Sequence, residues 1–299
     1  MYGTKNNALN TRVKMTSIKL AFWGTAVFGL FSCSNNPPRE ELPEPSVAYN
    51  KAFEGILDSA KLSGSILIYQ PSKETFYSND FKDCEKGGLP ASTFKITNSI
   101  IALETGVVED DSTLFKWDGK PRRLKIWEQP LIFRQAFHYS CVPCYQDVAR
   151  RIGVKRMQEH LKKFNYGNML VDSSTIDLFW LEGESKITPY QQIDFLKRFY
   201  MNELPIKDRT SKIMKRLMVI DENDSFTISG KTGWAIRNGN NQGWFVGYLE
   251  KNNETYFFAT HVEPEESFNM KMFPAIRGQV IRRAFKELGV IEEQVGLPQ

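Results

Sequence analysis

A chain of 299 residues that is 41% apolar and 25% charged is long enough to bury a sizeable core. Its formal charge of +4 is accounted for by the first 32 residues, which carry Lys5, Arg12, Lys14 and Lys19 and no acid. The remainder is close to neutral, so the pI of 8.7 gives no support to nucleic-acid binding.

The apolar run over 20–31 is about a dozen residues, well short of the ~20 that a membrane span needs. With its basic flank and small residues at a cleavage point, it predicts a secretory signal over 1–32. Leu30-Phe31-Ser32-Cys33 resembles a bacterial lipobox, which makes Cys33 the lipidated mature N-terminus and the only attachment to a membrane. Export to the periplasm follows. Residues 33–46 are rich in Pro and Glu and read as an extended tether. Residues 47–299 read as one globular unit without an internal repeat.

Within that unit the spacing predicts a helix over 48–61 and paired strands over 64–69 and 74–77. Helical spacing dominates 93–217, with loops at 117–121 and 166–168. Strands follow over 226–229, running into Lys231-Thr232-Gly233-Trp234, and over 243–250 and 255–262. A helix over 273–288 closes the chain. Strands from both ends around a helical insert predict an α+β architecture: a sheet packed on helices, an all-helical lobe, and a site in the cleft between them.

Ser92-Thr93-Phe94-Lys95, after Pro90 and Ala91, reads as a helix start. A serine and a lysine three residues apart on a first helical turn share one face. That matters because a serine hydroxyl is a poor nucleophile until a neighbouring base takes its proton. Lys231-Thr232-Gly233 downstream turns the coincidence into a pattern, since the two motifs occur together in serine acyl-transfer enzymes. The rest of the inventory is negative. His138, His160 and His261 fall in no metal-ligand spacing, and no Gly-x-Ser-x-Gly elbow or Gly-rich phosphate loop exists. Cys141 and Cys144 form a Cys-x-x-Cys outside any thioredoxin-like setting. They read as a local disulfide or two buried thiols, and Cys84 has no obvious partner.

These residues resemble the class D serine β-lactamases. Pro90 to Lys95 is similar to that family's nucleophile motif, Ser140-Cys141-Val142 to its Ser-x-Val element and Tyr166-Gly167-Asn168 to its Tyr-Gly-Asn element. Phe179-Trp180-Leu181-Glu182-Gly183 resembles its tryptophan-bearing loop, and Lys231-Thr232-Gly233-Trp234 its strand motif. The similarity covers essentially all of the chain after the tether. It departs from the family at Cys141 and Cys144, where aliphatic or small residues are more usual.

The resemblance implies a β-lactamase and penicillin-binding-protein-like fold, with a central antiparallel sheet flanked by helices plus an all-helical lobe. It implies hydrolysis of β-lactams through an acyl-enzyme on Ser92, with Lys95 carboxylated by carbon dioxide as general base. Trp180 would hold the carbamate. Ser140 would relay a proton with Lys231, and the backbone N–H groups of Ser92 and Trp234 would hold the oxyanion. The substrate side would be lined by Val142, Trp180, Thr232, Gly233 and Trp234, with Arg277 taking the substrate carboxylate and Tyr166 and Asn168 shaping the cleft wall. No metal and no bound organic cofactor is implied. The competing expectations are a β-lactam sensor and a penicillin-binding protein, each acylated without turnover. The latter usually carries Ser-x-Asn where Ser140-Cys141-Val142 stands here.

Overall fold

The computed structural model describes residues 45–237 and 239–292. The predicted signal and, apart from Pro45 and Ser46, the predicted tether lie outside the described residues. In chain order the elements are β1 (Ser46–Tyr49), α1 (Lys51–Ser59), β2 (Leu62–Gln70), β3 (Thr75–Ser78), α2 (Lys95–Glu104), β4 (Leu114–Phe115), β5 (Leu131–Ile132) and α3 (Phe133–His138). They continue with α4 (Val142–Ile152), α5 (Val154–Phe164), α6 (Pro189–Tyr200), α7 (Asp208–Leu217), β6 (Val219–Glu222), β7 (Thr227–Arg237), β8 (Asn240–Lys251), β9 (Glu254–Pro264) and α8 (Phe273–Glu287).

Seven strands form one sheet in the order β1-β3-β2-β9-β8-β7-β6, so strands from the two ends of the domain meet at the β2–β9 pair. Every pairing is antiparallel except β1 with β3. Side chains alternate across the sheet as the pleat requires. Leu67 and Tyr69 of β2 and Trp244, Val246 and Tyr248 of β8 face the helical insert α2–α7. Ile66 and Ile68 of β2 and Phe245 and Leu249 of β8 face the opposite layer, made by α1 and α8. Both faces are therefore buried, which explains why β2 reads as a continuous apolar run rather than an alternation.

Helix α2 runs through the centre of the insert, and every residue from Lys95 to Leu103 is buried. This enclosure fixes the start of α2 as a rigid platform at the sheet's edge.

The predicted helix over 48–61 is shorter than expected. Asn50 caps it, its Oδ1 accepting from the Ala52 N–H at 2.9 Å, and the residues before Asn50 pair with β3 instead. The strand β6 and the two-residue β4–β5 pair are too short to impose a readable period. No described helix is long and apolar enough to cross a membrane.

Candidate active site

Ser92 sits on a 3₁₀ turn, Ala91–Phe94, that leads into α2, rather than on the first turn of an α-helix. In a 3₁₀ turn the side chains at i and i+3 eclipse, which brings Lys95 over Ser92 more directly than an α-turn would. The Lys95 Nζ donates to Ser92 Oγ at 3.1 Å. Thr93 Oγ1 donates to the Pro90 carbonyl at 2.6 Å and locks the turn. The Ala91 N–H donates to the Trp180 carbonyl at 2.8 Å, tying the tryptophan loop to the nucleophile turn. Strand β7 crosses so closely that a Cβ on Gly233 would lie 3.1 Å from both the Pro90 carbonyl oxygen and Thr93 Cγ2. With glycine there the strand approaches without moving them; a Cβ would require the neighbours to give by a few tenths of an ångström.

Lys95 has no accessible surface, and its amine lies 5.0 Å from the centre of the Tyr145 ring. Burial, and secondarily the charge of Lys231, hold its pKa well below the ordinary lysine value. Trp180 stacks on Phe94 at 5.3 Å and meets Phe179 edge-on at 5.1 Å. The Trp180 indole N–H is buried and has no hydrogen-bond partner. Since a buried unpaired donor costs about 1–3 kcal/mol, this atom calls for an acceptor. Trp180 is itself 0% exposed and is buried against Phe94 and Phe179 rather than offered to a substrate.

Tyr166 corrects the sequence expectation more sharply. It is 2% exposed and packs between Phe94 and Phe195 behind the nucleophile turn, not on the cleft wall. Its O–H donates to Gln192 Oε1 at 3.5 Å, and the Gln192 amide donates to Thr93 Oγ1 at 3.0 Å. Burial pushes the Tyr166 phenol up to about 12, so it stays protonated and can keep donating. Asn168 is exposed and exchanges both backbone hydrogen bonds with Lys186 at 2.8 Å, closing the loop that carries Trp180.

A second serine–lysine pair faces the first. Lys231, on β7, donates to Ser140 Oγ at 2.5 Å and to the Thr232 carbonyl at 3.3 Å. Burial, followed by the nearby Arg277 charge, pulls Lys231 down to about 7. Ser140 occupies the left-handed region, with φ 51°. Val142 opens α4 and is half-buried, as are Thr232 and Trp234 on β7. Arg277 reaches across from α8, its guanidinium donating to the Gly233 carbonyl and, at 3.0 Å through Nε, to that of Phe273. Gly243 clears the way: a Cβ there would sit 2.8 Å from Arg277 Cδ. Burial lowers Arg277 to about 10.

Cys141 and Cys144 form a disulfide, with their Cα atoms 5.4 Å apart. Cys84 is free and buried, and burial pushes its thiol up to about 11. Among the described residues no group of His, Cys, Asp and Glu is arranged to hold a metal ion.

Two features escaped the sequence reading. Tyr145 supplies the aromatic floor under Lys95 and pairs its O–H with Ser99 Oγ at 2.7 Å. Gln192 is the other, and its signal was available: a polar residue on the buried face of an amphipathic helix needs a partner.

The penicillin binding protein transpeptidase domain model matches residues 61–285. The β-lactamase OXA-10 of Pseudomonas aeruginosa is 35% identical over 86% of this chain and 96% of its own. A class D β-lactamase structure from Nostoc superposes with a TM-score of 0.77 at 42% identity, covering 80% of this chain and 99% of that one. A class D β-lactamase structure from Sebaldella termitidis gives a TM-score of 0.79 at 35% identity, over 84% of this chain and 100% of that one.

Proposed function

The chain belongs to the class D β-lactamases, and from that premise we propose that it hydrolyses the β-lactam ring of penicillins through an acyl-enzyme on Ser92. One observation carries the reading. Two serine–lysine pairs sit together, both lysines are buried, and neither they nor Arg277 form an ion pair with a carboxylate among the described residues. Burial without an acid favours a neutral Lys95 amine, which accepts a proton, while Arg277 and the protonated fraction of Lys231 leave a positive charge unmatched for an anionic ligand. A β-lactam brings a carboxylate to that field, on the side of Arg277, Lys231 and Thr232.

An ordinary lysine at pH 7.4 is neutral in only about one molecule in a thousand. In its buried pocket the Lys95 amine is neutral far more often, and the Ser92 hydroxyl then becomes the donor in their contact. Ser92 Oγ attacks the lactam carbonyl and its proton moves to the Lys95 side chain. The N–H groups of Ser92 and Trp234 hold the oxyanion, each such donor being worth roughly 3–4 kcal/mol. Ser140 gives its proton to the departing ring nitrogen and regains one from Lys231.

The pocket also suits a carbamate made from carbon dioxide and the neutral amine of Lys95. Such a group needs a dry, uncharged amine and a donor for its oxygens; the buried, unpartnered Trp180 N–H supports this reading and would be that donor. When present it supplies an anionic base for both acylation and deacylation. Export and lipidation of Cys33 complete the proposal, and an unmodified Cys33 in the mass of the mature N-terminus would refute that part. The main reading is tested by steady-state turnover of a chromogenic cephalosporin. Many turnovers per protein, lost in Ser92→Ala, support the hydrolase. A single stoichiometric burst instead assigns a sensor or a penicillin-binding protein.

A further inference from the structure

We propose that the Cys141–Cys144 disulfide is a positioning device for Ser140, clamping its hydroxyl against the Lys231 amine so that proton delivery to the leaving nitrogen depends on the oxidised pair. The inference rests on the β-lactamase reading above.

Helix α3 ends in a Schellman turn. The Cys141 N–H donates to the Ala136 carbonyl at 2.9 Å and the Ser140 N–H to that of Phe137 at 3.1 Å. Ser140 therefore occupies the position after the helix where glycine is usual, because a Cβ disfavours the left-handed conformation. Glycine would relax the backbone but would carry no hydroxyl. The chemistry demands a side chain where the backbone prefers none, so something must hold the turn.

Cys141 is placed to do this. It is the second residue of the α3 terminus and at once the N-cap of α4. A serine, threonine, aspartate or asparagine normally fills an N-cap, since its oxygen accepts from the first turn. Here the acceptor is the Cys141 sulfur, which takes the Cys144 N–H at 3.3 Å, and sulfur is a weak acceptor. The covalent bond to Cys144, the third residue of α4, replaces what the weak cap lacks. It joins the C-terminus of one helix to the first turn of the next, with Ser140 at the junction.

The loop it closes contains only two intervening residues. Constraint of the unfolded chain grows with loop length, so a bond this local adds comparatively little to global stability. Its effect falls on the junction itself. The Trp127 indole donates to the Tyr139 carbonyl at 2.9 Å and braces the turn from its other side. The disulfide is the tie on the α4 side.

The test compares the oxidised enzyme with enzyme treated with a water-soluble phosphine. That reagent cleaves the S–S bond to two thiols and leaves as its oxide, with oxygen from water. Cys144→Val and Cys141→Ala/Cys144→Val remove the bond without reductant. Turnover of a chromogenic cephalosporin, its pH profile and the melting temperature are measured for each. We expect kcat to fall at least tenfold in all three, with the melting temperature lowered by only a few degrees. The limb of the pH–rate profile near 7 should move to higher pH as Lys231 loses its closed pocket. Unchanged kcat and an unmoved limb would overturn the inference, as would a rate loss matched by the fraction of unfolded protein. If the oxidised enzyme itself turns nothing over, the β-lactamase reading fails instead, so the two failures are distinct.

Discussion

Replacing Trp180 by phenylalanine removes one buried N–H and keeps an aromatic ring against Phe94 and Phe179. That N–H is buried and has no protein partner. Its removal relieves a penalty of about 1–3 kcal/mol, which offsets part of the packing lost with the smaller ring. With a carbamate on Lys95 the sign reverses. A hydrogen bond to a charged acceptor is worth about 1.5–3 kcal/mol, so its loss weakens carboxylation roughly ten- to a hundred-fold. The assay is cephalosporin turnover in carbon-dioxide-stripped buffer titrated with bicarbonate, with the carbamate counted by carbon-13 NMR. Trp180→Phe should need roughly ten- to a hundred-fold more bicarbonate to reach half its maximal rate, and bicarbonate should recover most of that rate. A midpoint within twofold of wild type would show that the indole N–H does not hold the carbamate, and the reasoning from the orphan donor would be wrong.

The pH dependence of stability carries a defined sign. Lys231 has a folded pKa of about 7, whereas a lysine in the unfolded chain titrates at about 10.4, so between these values the unfolded state binds the extra proton. Stability should rise with pH across that window, by up to ~1.4 kcal/mol per unit from this residue, and level off above it. Denaturant melts of Lys231→Met from pH 6 to 10.5 should show a flatter curve, and parallel curves would refute the assignment. Gly233→Ala drives a methyl against the Pro90 carbonyl and Thr93, shifting β7 from the nucleophile turn. Stopped-flow acylation should slow by about tenfold or more, since reacting groups tolerate little misplacement, and an unaltered rate would mean that the close approach is not required. Gly243→Ala puts a Cβ 2.8 Å from Arg277 Cδ. The same Cβ lies 2.7 Å from Phe273 Cζ, so both side chains must shift. Displacement of the arginine should raise KM for a penicillin about tenfold with kcat within twofold, and an unchanged KM in a variant whose structure shows Arg277 displaced would remove it from substrate binding.

The legible parts of this site were those set by local spacing. Ser92 and Lys95 meet because residues three apart eclipse or nearly so in either helix type, so the error between an α-turn and a 3₁₀ turn did no harm. Lys231 reads as a strand residue because β7 and β8 carry long patterned runs. Tyr166 went wrong for a reason local spacing cannot show. Asn165 ends α5 in the left-handed conformation, with φ 47°, and the chain then turns Tyr166 inward between Phe94 and Phe195. A Tyr-Gly-Asn segment looks like surface loop, and only the tertiary fold decides which way its first residue points. The Cys-x-x-Cys spacing left thiols and disulfide equally open, because the separation of the two Cα atoms depends on the turn between them. Here the α4 cap sets it at 5.4 Å, inside the range a disulfide bridges. The edge strand β1 was lost to α1 because four residues cannot display a period.

The arrangement of charge is the property from which the chemistry follows. Lys95, Lys231 and Arg277 are 0%, 5% and 6% exposed, and none has an acidic partner among the described residues. Burying three bases this way is costly unless the lysines give up their protons, and both have depressed values for that reason. Under the proposed function the cost creates the reactivity: an amine stripped of its proton by burial would be a base beside Ser92 and a nucleophile toward carbon dioxide. On the proposed reading the missing negative charge arrives from outside, as a carbamate on one side and a substrate carboxylate on the other. Because Lys231 lowers Lys95 through charge, an anion at Lys95 must in turn favour the charged form of Lys231. Carboxylation and protonation of the second lysine are then one linked event. It readies Lys231 to return a proton through Ser140 at the moment the base beside Ser92 is able to take one.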